Sequence, residues 1–113
     1  MNTKNLISCM LFVALGFSSV FGQKAKLERA DSEFKKYNYE TAIPIYLEVL
    51  DKADIPDAKA KLAESYRRTD NWQEAEYWYG QIVNLPDAKS IYYLYYGMSL
   101  QANNKCDLAK EFF

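Results

Sequence analysis

The chain is predicted to be all-α, an α-solenoid of antiparallel helical hairpins preceded by an export signal, and three observations carry that prediction. After Gln23 the only structural signal is apolar residues at helical spacing. Small residues recur on a fixed period: Ala42, Ala75 and Ala109 stand 33 and 34 residues apart, and twelve positions before each lies another, Ala30, Ala63 and Gly97. Turn-formers and helix breakers punctuate the same period. Lys36-Tyr37-Asn38, Thr69-Asp70-Asn71 and Asn103-Asn104-Lys105 fall where hairpins must reverse, and Pro56 and Pro86 close the first and second units.

The first element is a leader, residues 1–22. Lys4 supplies a positive n-region, Leu6 to Val20 an apolar h-region, and Val20-Phe21-Gly22 a cleavage site before Gln23. The apolar run is shorter than the roughly 20 residues that span a bilayer, so a cleaved signal is expected over an uncleaved anchor and the mature chain over a transmembrane one. Leu6 to Cys9, "LISC", has the look of a lipoprotein box, but most of the h-region follows the cysteine, where a lipobox would end it. With Cys9 removed, Cys106 is the one remaining cysteine; it reads as a small buried hydrophobe, with a redox or intermolecular thiol as the alternative.

Residues 23–113 then form one array of hairpins, approximately 23–55, 56–89 and 90–113, the last cut short at about two and two-thirds units. In each, a small residue of the first helix faces a small residue of the second, so the axes approach closely. Aromatics fill the space on either side: Tyr39 and Trp72 three positions before the anchor, with Cys106 in the third unit, and Tyr46, Tyr79 and Phe113 four after it. Asn38 and Asn71 are expected to cap the second helices. Pro44 lies inside one, near enough to its start to remove little more than one backbone hydrogen bond.

This order of small and aromatic residues at this period resembles the tetratricopeptide repeat. The first unit departs from it with Lys26 at the opening aromatic position, and the third with Cys106. The resemblance sorts the densest aromatic stretch, "IYYLYYGMSL" from Ile91 to Leu100. Tyr93 and Tyr96 take structural slots, while Tyr92 and Tyr95, three apart on one face, remain to reach a neighbouring hairpin or a ligand.

Composition excludes several functions. The formal charge is −1, from 14 basic and 15 acidic side chains; losing Lys4 with the leader makes it −2, no footprint for nucleic acid or an anionic membrane. There is no histidine, which removes the commonest general base and zinc ligand. The acidic residues are scattered, and neither a nucleophile–base pair nor a glycine-rich phosphate loop is present, so no enzyme, cofactor or metal is expected.

The leader, the "VFGQKAK" junction and the first repeat "RADSEFKKYNYETAIPIY" also resemble the N-termini of exported proteins of the outer-membrane protein A family of Bacteroidetes-type bacteria. That resemblance implies a periplasmic or outer-membrane-associated scaffold, in some relatives serving type IX secretion, with peptidoglycan bound by a domain beyond Phe113. The "EFF" ending fits a fragment of such a protein. Repeat modules of this kind bind protein partners on the face of their first helices, which here carries Asp31, Phe34, Lys35, Glu64, Arg67, Arg68, Met98 and Gln101. The Lys/Asn clamp some members use for a terminal carboxylate is missing, since Leu27 and Asp31 stand at its first two positions. Two alternatives accompany the scaffold reading: a glycan-binding module using exposed Tyr92 and Tyr95 beside Trp78, and a tetratricopeptide protein unrelated to the outer-membrane family.

Overall fold

The computed structural model describes residues 21–113, all of whose regular structure is helical. The leader therefore lies outside the described residues, apart from Phe21 and Gly22. Helix α1 covers 21–35. It is followed by α2 (Tyr39–Lys52), α3 (Pro56–Arg68), α4 (Trp72–Ile82), α5 (Ser90–Ala102), α6 (Cys106–Ala109) and a 3-10 turn, Lys110–Phe112. From α2 onward each helix packs against the next one in sequence, and α5 also meets the 3-10 turn.

Three of the connections are the same turn. Tyr37, Asp70 and Asn104 take left-handed backbone, with φ of 64°, 59° and 63°. The N–H of the following residue reaches back to the helix just ended: Asn38 to Glu33 O at 2.9 Å, Asn71 to Tyr66 O at 2.9 Å, Lys105 to Leu100 O at 2.8 Å. The left-handed residues themselves donate to Phe34 O, Arg67 O and Gln101 O at 3.0, 3.2 and 3.1 Å. This pair of bonds is the Schellman closure, which satisfies carbonyls that a helix end otherwise leaves orphaned. The spacing of the turns, 33 and 34 residues, matches that of the small residues.

Those small residues sit at the closest approaches. Ala30, Ala42, Ala63 and Ala75 are fully buried, and Ala109 nearly so. At Gly97 an added Cβ would lie 3.0 Å from Phe112 Cβ and 3.2 Å from the Phe113 ring, so a side chain there would require the last turn to shift. Around them Ile45, Tyr46, Leu62, Tyr66, Tyr79 and Ile82 make the core. Ser65 and Ser99, 34 residues apart and wholly buried, each donate to the carbonyl four residues back, at 2.7 and 2.8 Å. A buried hydroxyl is thereby satisfied within its own helix.

Several local expectations are corrected. Asn38 does not cap α2; its Nδ2 donates instead to Glu33 Oε2 at 2.9 Å. Asn71, by contrast, caps α4 as expected, by a long 3.4 Å contact from Glu74 N–H. Pro56 occupies the first position of α3, where its missing N–H removes no helical bond. Cys106 is exposed. Tyr39 and Trp72, at the equivalent positions, are long enough to reach back over their turns and half-bury themselves, whereas a cysteine is too short. Phe113 is also largely exposed at 64%, and Phe112 makes the ring contacts of the last turn, 4.9 Å from Tyr96 and 6.5 Å from Tyr93.

Candidate functional site

The candidate face is formed by the first helices of the hairpins, α1, α3 and α5. Its expected residues divide into those held by the fold and those left to solvent. Asp31 belongs to the first group. Its Oδ1 accepts from the Tyr46 hydroxyl at 2.6 Å and from Lys61 Nζ at 3.1 Å, joining α1, α2 and α3; Lys61 also pairs with Asp57 Oδ2 at 2.9 Å. Burial, and after it the bond to Asp31, pushes the Tyr46 hydroxyl far above the usual tyrosine range. For Lys61 burial works toward a lower pKa, but the bonds to Asp57 and Asp31 outweigh it and the ammonium is held above its ordinary value. Phe34 meets Tyr39 edge-on at 5.6 Å and Tyr46 at 6.4 Å, as part of the packing between α1 and α2.

Arg67 is held as firmly. Its Nε donates to the Tyr79 hydroxyl at 3.3 Å, and its guanidinium lies 3.9 Å above the Tyr95 ring. One side chain thus links α3 to α4 and α5. Burial raises the Tyr79 hydroxyl above the ordinary range, while the bond from Arg67 and its charge act in the opposite direction. Glu64 receives Arg67 Nη2 and Arg68 Nε at 3.5 Å each, both long, and keeps a third of its side chain open. Lys35, Arg68 and Gln101 are exposed, and Met98 is half-buried on α5. Ile91 and Leu94, 42% and 41% exposed, continue the α5 side of the face as an apolar stripe with Met98. Sequence reading did not single out these two, although their spacing of i, i+3 and i+7 was there to find.

The tyrosine cluster is packing. Tyr92 and Tyr95 are half-buried with ring centroids 6.4 and 5.7 Å from Tyr79, across the seam between second and third hairpins. Tyr96 lies against Gly80, where an added Cβ would be 3.3 Å from its ring. Trp78 is half-buried against the core, and Tyr77 beside it is exposed. Near Tyr92 a cavity of about 260 Å³ opens between the start of α3 (Asp57, Ala60), Leu85 of the α4–α5 connection and Lys89.

Among the described residues no group of three or more His, Cys, Asp or Glu side chains is gathered as metal ligands would be, and no helix is long and apolar enough to cross a membrane. Fold and face together define an all-helical chain of sequentially packed hairpins with a mixed charged and apolar first-helix surface. No protein-family model, no curated protein and no solved structure matches the chain.

Proposed function

We propose that this chain is a non-enzymatic protein-binding scaffold: a tetratricopeptide-type solenoid that presents its first helices to a protein partner. The observation that carries the reading is the turn repeated at Tyr37, Asp70 and Asn104, with the same two backbone bonds each time. Hairpins reversed alike and packed in sequence support a reading in which the first helices share one side and offer an extended surface suited to a peptide or protein segment. Lys35, Glu64, Arg68 and Gln101 are the contacts proposed for the partner, beside the Ile91–Leu94–Met98 stripe. Asp31, Phe34 and Arg67 act one step removed, holding the helices that carry those contacts. The leader and first-repeat resemblance support an exported protein of the periplasm or outer membrane, akin to the outer-membrane protein A family, with peptidoglycan contacted only through a domain outside these residues. The glycan alternative loses its support at Tyr92 and Tyr95, whose rings are packed on Tyr79.

The test is site-specific photo-crosslinking in cells that express the full chain. A crosslinker at Lys35, Glu64, Arg68 or Gln101 should give a discrete protein adduct, while one at exposed Leu47 of α2 or Tyr77 of α4 should not. Adducts from the second-helix sites alone, or from no site at all, would sink the proposal.

A further inference from the structure

We propose that the first hairpin turn is a binding subsite for a neutral sugar, at the edge of the protein-binding face where Arg68 borders it. The three left-handed turn positions hold Tyr37, Asp70 and Asn104. Asp and Asn suit this conformation because their short polar side chains bond locally; a tyrosine gains nothing of the kind, and its Cβ crowds the backbone. Such strain is tolerated where the ring is buried as compensation, yet Tyr37 is 75% exposed. The fold holds a large aromatic side chain out in solvent at a conformational cost, on one hairpin out of three. Strain of that sort marks a position with another use.

The surroundings of Tyr37 say what that use is. A cavity of about 280 Å³ is lined by Tyr37, Asn38, Tyr39, Glu40, Thr41 and Thr69. The rings of Tyr37 and Tyr39 are 6.3 Å apart and inclined at 55°, a tilted pair that leaves most of the Tyr37 ring open beside the cavity. Tyr39 is backed by Phe34 edge-on at 5.6 Å. Around the cavity the polar groups are available. Among the described residues Glu40 and Thr41 side chains take part in no hydrogen bond or ion pair. Asn38 uses Nδ2 on Glu33, which leaves its Oδ1 as an acceptor, and Thr69 donates its hydroxyl to Ser65 O at 2.9 Å, which leaves the oxygen lone pairs.

An apolar ring face flanked by unengaged donors and acceptors of both kinds fits a pyranose, whose C–H face lies on an aromatic ring while each hydroxyl both donates and accepts. An ammonium group could meet Glu40 and the two rings. It would, however, sit beside the cationic Arg68, which already stands 5.9 Å from the Tyr39 ring. An acidic sugar would face Glu40 unpaired. A neutral unit is the ligand the cleft favours.

The probes are N,N′,N″-triacetylchitotriose and maltotriose, titrated into isotope-labelled full chain and followed by amide chemical shifts. Saturable shifts confined to residues 36–41 and 69 are expected from at least one of them by about 10 mM, the weak range for a single subsite. Tyr37→Gly separates binding from folding, because it relieves the left-handed strain: it should raise the melting temperature by a few degrees and weaken the sugar roughly tenfold or more. Tyr77→Ala, which removes an exposed tyrosine away from the cleft, should leave sugar binding unchanged. Three results would overturn the proposal: no shift with either sugar, parent-like binding by Tyr37→Gly, or trilysine moving the cleft amides where both sugars fail.

Discussion

Replacing Arg67 with alanine should destabilise the fold far more than the same change at its neighbour Arg68, although both were expected on the partner-binding face. The Arg67 side chain is only 14% exposed. Its guanidinium covers the Tyr95 ring at 3.9 Å, a cation–π contact partly shielded from water, worth about 1–2 kcal/mol. It also supplies the hydrogen-bond donor to the nearly buried Tyr79 hydroxyl, worth about 1 kcal/mol even at 3.3 Å. The long contact with Glu64 adds little. The expected loss is therefore about 2–3 kcal/mol, or a fall of roughly 10–20 °C in a domain of this size. Arg68 is half-exposed, with a 3.5 Å contact to Glu64 and a 5.9 Å approach to Tyr39; its removal should cost no more than about 0.5 kcal/mol. Arg67→Lys keeps the charge but cannot both lie flat on Tyr95 and reach Tyr79, so it should fall between the two. Urea unfolding followed by far-ultraviolet circular dichroism gives the comparison, and an unchanged m-value shows that stability alone has moved. If Arg67→Ala and Arg68→Ala unfold at the same urea concentration, the bridge between α3, α4 and α5 does not hold the hairpins together, and the division of the face fails.

Ala75→Leu should destabilise by about 1–3 kcal/mol, because Ala75 and Ala63 are both wholly buried and a larger side chain has to push its helices apart; an unchanged melting temperature would show that the two helices do not meet closely there. Alkaline pH should unfold the chain early. Tyr46, Tyr66 and Tyr79 all titrate above their ordinary 10.0 and Lys61 above its 10.5, so each keeps its proton longer folded than unfolded. Their contribution is complete below pH about 10 and is lost as pH rises further, so the melting temperature should be level between about pH 6 and 9 and drop above 10. A level curve continuing beyond pH 11 would contradict the buried hydroxyls.

The all-helical fold was legible because helical hairpins write themselves into sequence locally. Apolar spacing, small residues at contact points and turn residues act within a dozen positions, and Tyr37, Asp70 and Asn104 fall inside the stretches where reversal was expected. What stayed hidden depends on side-chain reach and on distant pairing. Asn38 has the chemistry of a cap but a nearer partner in Glu33. Cys106 takes the slot of Tyr39 and Trp72 without their length. Asp31 and Arg67 look like surface charges until Tyr46 and Tyr79, 15 and 12 residues away, are seen to need them. Lys61 stands 30 residues from Asp31, and nothing along the chain announces that bond.

The charges of the first-helix face follow from the core beneath it. Tyr46, Tyr79 and Phe113 occupy equivalent positions in the three hairpins. In the first, the tyrosine hydroxyl donates to Asp31; in the second, it accepts from Arg67. A buried hydroxyl left without a partner would cost about 1–3 kcal/mol, so each tyrosine calls for a polar group on the helix it faces. Phe113 has no hydroxyl, and at the positions equivalent to Asp31 and Arg67 the third hairpin carries Met98 and Gln101 without charge. Change at these positions is therefore coupled: a Tyr79→Phe variant should tolerate loss of the Arg67 hydrogen bond, keeping only the requirement for a cation over Tyr95. By the same reasoning a charge on this face is evidence of a binding site only when no tyrosine hydroxyl answers it from below. Lys35 and Arg68 meet that condition, and Glu64 meets it through its exposed oxygen. Tyr37 meets the corresponding condition at the turn, where a ring in left-handed backbone stays 75% exposed with only the Tyr39 ring beside it among the described residues.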